Sequence, residues 1–455
     1  MDPKSVPHPG TRFLLFPNLP SLEDEGTPEL VWVSTPAGSA SQGPSDDRMY
    51  VIDPVGKESP YGYYQHSGRT VHFKPPWEGP IRPPAQPGPE GHFDHLRFGT
   101  PQFEQAHAYG SIRFTLDIWE GYFGHPIEWH FSGHYDRLEI LFLRGLDNAF
   151  AGFGSVEIGS YEHESGAHVN FGLSFDVLSH EVGHLIIYKE VGIPDTNDVH
   201  GEYFGFHESA ADLVSLISLM HFQSPMNDLL AESRGNLYTF NHLNRFGEVS
   251  NQEQLRLASN NRTLFEFKDG WTSEHDLSQP LTGAMFDILV DVFHENLVEA
   301  GLISVHLEDL SDRIENDPDY VAIIQPLFDQ AYRKDPDEFA EALAGARDYM
   351  GIALAGTWRR LSSLTLNYED VAQAMLAADR EVTGGRFERI ISVNMRNRGI
   401  GEVSAGPRLT PPDETSHAFS ARTLVADGQD HGAAGHGCSH LPFSTRMALA
   451  RMGNG

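Results

Sequence analysis

A single cysteine, Cys438, stands in the whole chain, so no intrachain disulfide and no cysteine-based zinc site can form. Basic residues are also scarce: 32 lysines and arginines face 64 aspartates and glutamates, a formal net charge of −32. Such a surface repels phosphate backbones and anionic lipid heads, which argues against nucleic acid and membrane surfaces as partners. A strongly solvated acidic exterior is the plainer meaning of the charge. No segment approaches the ~20 consecutive apolar residues of a membrane span. Residues 1–10 lack an apolar run behind a basic start, and residues 13–16 are too few for a signal-peptide core. The expectation is a soluble protein, cytoplasmic or exported by a route that uses no cleaved signal. Asn261-Arg262-Thr263 has the form of a glycosylation acceptor, but without a secretory signal it is ordinary surface.

What is present suffices for two or three domains: 455 residues, 40% of them hydrophobic. Residues 1–94 alternate short strand-like runs (30–33, 49–52, 61–64, 70–73) with proline and glycine breaks, and 75–91 is an extended proline-rich connector. They form a β-rich N-terminal arm. Residues 102–123 carry apolar and small side chains at three-to-four spacing, the mark of a helix with one buried face, ended by Gly124 and Pro126. A buried strand is expected at 138–143 and strand-like chain at 148–158. Helices are expected at 175–191 and about 206–222, then at 282–295, 320–333, 338–349 and 368–379. The segments are thus 1–94, a lobe at 95–222, a helical lobe at 223–395 and a tail at 396–455, where His436, Cys438 and His440 lack a fixed fourth ligand for a metal.

The chemistry concentrates in His180-Glu181-Val182-Gly183-His184. Residues i and i+4 lie one above the other on a helix, so both imidazoles reach one ion. Glu181 is turned about 100° from His180 and can face a water instead of the metal. H-E-x-x-H is short and needs a confirming context. A zinc hydrolase takes three protein ligands and leaves one position open. The next helix offers Glu208 and Asp212, also i and i+4, on an otherwise apolar element (Leu213, Val214, Leu216, Ile217). Carboxylates buried there need a cation. One of them can ligate zinc while the other accepts a ligand histidine's ring N–H.

With these motifs in this order, residues 93–382 resemble the thermolysin-like family of zinc peptidases, the gluzincins. Asn148-Ala149-Phe150 is similar to that family's edge-strand motif, residues 175–179 precede the first histidine much as in the family, and Glu208 and Asp212 match its third ligand and the aspartate behind it. The resemblance implies an α+β, two-lobed thermolysin-like fold, with the zinc helix between a β-rich lobe and a helical one. It implies zinc on His180, His184 and Glu208, Asp212 holding His180, and a peptide or protein substrate laid against Asn148 and Ala149 as an added strand.

The sequence departs from the family in five places. The loop between the zinc helix and Glu208 is a few residues longer than in thermolysin-like enzymes. His207 stands where the family often has asparagine, and Ala151 replaces an aromatic. Asp176 matches a calcium ligand, but Leu219 falls where its partnering glutamate would be, so the paired calcium site is incomplete. The family's downstream histidine, which stabilises the oxyanion, falls by spacing from Thr282-Gly283 on Gln279; His275 is the nearest imidazole. Either could serve, since amides donate in other oxyanion holes. The expected activity is zinc-dependent peptide hydrolysis, with Glu181 as general base and His275 as catalytic partner. The alternatives are a non-catalytic binding protein of the same fold, or a zinc hydrolase or exopeptidase acting on another amide.

Overall fold

The computed structural model describes residues 10–17, 26–66, 69–162, 168–194, 201–237, 258, 260–314 and 317–406. His436, Cys438 and His440, and the tail beyond 406, lie outside them. The fold is mixed α+β, strands first and helices after. The strands among the described residues are β1 (Gly10–Leu15), β2 (Glu29–Pro36), β3 (Met49–Ile52), β4 (Gly62–His66), β5 (Arg69–Phe73), β6 (Leu138–Phe142), β7 (Ala149–Ala151), β8 (Ser155–Ile158), β9 (Ser160–Glu162) and β10 (His168–Asn170). The helices are α1 (Pro101–Phe123), α2 (Phe175–Glu190), α3 (Glu202–Leu219), α4 (Gln223–Ser233), α5 (Glu274–Glu299), α6 (Val305–Ile314), α7 (Tyr320–Tyr332), α8 (Pro336–Trp358), α9 (Tyr368–Thr383) and α10 (Glu388–Asn397). Among the described residues no helix is long and apolar enough to cross a membrane.

The sheet that positions the site has the order β3-β6-β8-β7. β3 and β6 are parallel, β6 and β8 are parallel, and β7 returns antiparallel on β8. β3 brings residues from the first hundred of the chain into this sheet, with Met49 opposite Leu138. Alternation along each strand divides the side chains between two faces. Met49, Val51, Leu138, Ile140, Ala149, Ala151, Val156 and Ile158 join the main core with the helices. Glu139, Phe150 and Glu157 point the other way, under the β4–β5 hairpin and the segment before it. There the Lys57 ammonium meets Glu157 at 2.6 Å, and the Tyr61 hydroxyl donates to Glu139 at 2.8 Å.

α1 starts where the Thr100 hydroxyl accepts from the Phe103 N–H and Pro101 opens the first turn, and it ends on Gly124 in the left-handed region. Several helices outrun their sequence expectations. α5 begins at Glu274, eight residues before Thr282, because Ser273 caps it by accepting from Asp276 N–H. α8 continues nine residues past Tyr349. Gly351 is not a breaker there: a Cβ would lie 2.3 Å from the Tyr122 ring, so the glycine makes room for packing. α3 likewise begins at Glu202, ahead of the expected 206.

Candidate metal centre

α2 and α3 cross closely because position 183 has no side chain. A Cβ there would stand 3.0 Å from Ala211 Cα and 3.1 Å from Val214 Cβ. Hydroxyls reinforce the crossing: Ser179 Oγ donates to Ser215 Oγ at 2.9 Å. A third helix joins through Thr282 of α5, whose Oγ1 donates to Ser209 Oγ of α3 at 2.9 Å. The two helices thus present His180, His184 and Glu208 to one another in a water-poor interior. His184 and Glu208 are fully buried, and Glu181 is 1% exposed.

Each histidine divides its two nitrogens between two tasks. His180 Nδ1 lies 2.9 Å from Asp212 Oδ1, while its Nε2 faces Glu208 Oε2 at 3.6 Å. His184 Nδ1 lies 2.9 Å from His207 Nδ1, while its Nε2 faces the same Glu208 oxygen at 3.8 Å. The Asp212 carboxylate sets the proton of His180 on Nδ1, leaving a lone pair on Nε2, and raises that ring's basicity; the His184–His207 contact joins two ring nitrogens, one of which donates. His207 is itself held between the rings of Tyr188 and Tyr203, at 4.5 and 5.7 Å.

The two nitrogen-to-oxygen distances are ones that a small cation would bridge. Zinc with bonds of ~2.0–2.2 Å in a tetrahedron places its ligand atoms about 3.3–3.5 Å apart. Two imidazole nitrogens and a carboxylate oxygen at 3.6 and 3.8 Å stand close to that spacing, with a donor set that zinc prefers. His184, His207 and Glu208 also group closely enough to suggest a metal, as do His180, Glu181 and His184. The 2.9 Å between His184 and His207, however, is a hydrogen-bond length, shorter than two ligands on one ion adopt. That contact is a hydrogen bond between the two rings.

Glu181 reaches the sheet, its Oε2 accepting from the Ala151 N–H at 2.7 Å, while its carboxylate stays grouped with His180 and His184. β7 is an edge strand, and the pairing with β8 runs through Asn148 O and Gly152 N, so the Ala149 and Ala151 amides face outward. The Ala149 N–H meets Asn148 Oδ1 at 2.9 Å. On the other side, His275 in the first turn of α5 brings Nδ1 to 3.3 Å from Glu208 Oε2. The side chain of Gln279, the other candidate, turns to Asp276 Oδ1 at 3.5 Å, and its carbonyl accepts from Asn260. Of that pair, His275 is the one against the cluster. The Asp176 carboxylate accepts from Ser174 Oγ, Leu219 is buried, and neither metal-like group among the described residues includes Asp176.

Sequence reasoning misses two parts of this arrangement. It marks His207 only as a departure; an imidazole one position before Glu208, on the helix facing the motif, is the available signal. The Ala151 N–H has no side-chain signal at all.

No family model matches the chain, and no curated protein matches it. Among solved structures, it is similar to the precursor of protealysin, a metalloproteinase from Serratia proteamaculans, at 11% identity and a TM-score of 0.41. That likeness covers 81% of this chain and 90% of the other. At this level of similarity, the geometry of the site carries the functional reading.

Proposed function

We propose that the chain is a zinc-dependent metallopeptidase of thermolysin-like type, with His180, His184 and Glu208 as ligands and Glu181 as general base. The observation that supports it most is the convergence of both Nε2 atoms on one buried Glu208 oxygen, with Glu181 bonded to the edge strand β7 beside it. Zinc in this position would polarise a substrate carbonyl and make water nucleophilic near neutral pH.

The chain's own groups do the rest. A peptide laid along β7 would bond to the outward carbonyls of Ala149 and Ala151 and to the Ala149 amide, released by Asn148 Oδ1, while the Ala151 amide stays on Glu181. This main-chain register fixes the scissile carbonyl beside Glu181. Glu181 takes a proton from water as the water oxygen attacks the carbonyl carbon. The same carboxylate then hands that proton to the amine nitrogen as the C–N bond breaks. Asp212 and His207 hold the two ligand rings in register, and His275 Nε2 is placed to donate to the oxygen that gains charge.

The test is direct. Purified protein should contain about one zinc per chain and cleave casein in a chelator-sensitive way, with activity restored by zinc. A zinc-loaded protein that cleaves no peptide, blocked or unblocked, would remove the peptidase reading and leave a binding protein.

A further inference from the structure

On the face of the sheet away from the helices, we infer that Lys57 and Glu157 join covalently after the chain has folded, the lysine ε-amine condensing with the glutamate side-chain carboxyl to an isopeptide bond. Lys57 Nζ lies 2.6 Å from Glu157 Oε1, and the two side chains are 0% and 1% exposed. An amine at hydrogen-bond distance from a carboxyl oxygen stands about 3–3.5 Å from the carboxyl carbon, the separation of a near-attack conformer. A pair held in this way reacts at effective concentrations that reach ~10⁵ M or more. No metal enters this chemistry, which stands apart from the peptidase reading.

The surroundings favour the uncharged forms that react. Lys57 Nζ lies 4.0 Å from the centre of the Tyr61 ring and 4.9 Å from that of Phe73. Burial pushes the lysine amine down and the Glu157 carboxyl up. A second carboxyl group shares the chamber. Leu141 of β6 stands opposite Glu157 of β8, and Glu139 comes two residues earlier on β6, so both acids project from one face. Tyr61 links them, its N–H donating to Glu157 Oε2 at 2.9 Å and its hydroxyl to Glu139 Oε2 at 2.8 Å. The other Glu139 oxygen accepts from the Trp77 N–H at 2.9 Å. Two carboxylates and one ammonium would leave a buried charge uncompensated, which a proton on one acid removes. Burial raises Glu139 as well. One chamber thus holds an amine, a carboxyl carbon within its reach and a spare proton.

The reaction balances within the pair. Nζ bonds to Glu157 Cδ, one Cδ–O bond breaks, and that oxygen leaves as water. Of the three ammonium protons, two depart in the water and one stays on the amide, so no co-reactant is needed. Glu139, protonated, donates to the departing oxygen and recovers its proton from the amine. A pocket lined by Tyr61, Phe73, Tyr135, Phe150 and Glu157 gives the water a way out. The ion contact opposes both neutral forms, so only a small fraction of pairs reacts at any moment and the linked form accumulates after folding. The bond spans 100 residues and ties the segment before β4 to β8. It is a covalent staple in a chain whose single cysteine can make no internal disulfide.

Intact mass and a tryptic map of the full-length protein, freshly purified and again after long incubation at neutral pH, read the bond directly. The incubated chain should be lighter by one water, about 18 Da, with Lys57 no longer cut by trypsin and found in a branched peptide with Glu157. Lys57→Met should keep its full mass throughout. Glu139→Gln, which keeps the shape but has no proton to give, should slow the loss of water by ~10²-fold. Full mass in the incubated wild type, with trypsin cutting after Lys57, leaves an ion pair only and overturns the inference. A loss of water mapped to other residues overturns it equally. The wild-type measurement decides alone if a variant fails to fold.

Discussion

The two faces of the central sheet bury charge in opposite ways. On the outer face, Glu157 and Lys57 have side chains 1% and 0% exposed and meet at 2.6 Å, with the Tyr61 N–H on the second Glu157 oxygen at 2.9 Å. Burial pushes Glu157 up and Lys57 down, toward their neutral forms, and the contact opposes both shifts. On the helix side, the equally buried Glu208 faces imidazoles, which are neutral when they act as ligands. One cluster carries its own counter-charge; the other would receive one from the proposed metal. A buried carboxylate is therefore a functional signal only after its cation has been looked for.

The largest effect should come from the receiving cluster. Glu181→Gln keeps the acceptor for the Ala151 N–H but cannot take a proton, so turnover should fall by ~10²–10⁴-fold while zinc content is unchanged. Unaltered turnover would break the proposed mechanism. Next, Lys57→Met strands Glu157 and should lower unfolding free energy by about 3–5 kcal/mol in urea titrations, with zinc content unaffected. Adding Glu157→Gln should recover most of the loss; failure to recover would mean that Lys57 acts through packing over the Tyr61 ring instead of through charge.

A third kind of burial sharpens the contrast. His107 is fully buried, with Nε2 accepting from the Phe16 N–H at 2.9 Å and Nδ1 against the Gly172 carbonyl at 2.8 Å, so it is complete as a neutral ring. Burial lowers its pKa to about 4, and that of the buried His294 similarly. The unfolded chain then takes these protons first as pH falls. Stability from each is full above about 6.5 and is lost on the way down to about 4, up to ~3 kcal/mol apiece. Unfolding measured across that window should show the loss, and His107→Gln should flatten it. The smallest effects belong to the groups behind the ligands. Asp212→Ala and His207→Ala should each weaken zinc binding ~10–100-fold, and Glu208→Ala more than either, as read by chelator competition.

Local chemistry is legible in the sequence, and tertiary chemistry is hidden from it. His180 and His184 share a helix face by their spacing, and Glu208 with Asp212 likewise, so four of the site's side chains can be named from the residue order alone. His207 cannot be given its role that way, because its contact with His184 depends on how α2 and α3 cross. For His275 the sequence suggests a loop, since Pro280 and Thr282-Gly283 point to a helix beginning later. The Ser273 cap and the acidic first turn of Glu274 and Asp276 start the helix earlier, which turns His275 into the cluster. The place of β3 beside β6 joins residues nearly ninety apart, a pairing that no periodicity within either segment encodes.

Gly183 is the least reactive member of the five-residue motif, yet it sets the spacing between the helix of the histidines and the helix of the glutamate. Any larger residue would hold Ala211 farther off and widen the gap across which Nε2 and Oε2 face each other. In the proposed site, ionic radius would then be selected by a missing methyl group, since a methyl added at this position would part the two helices and shift the preference toward a larger ion.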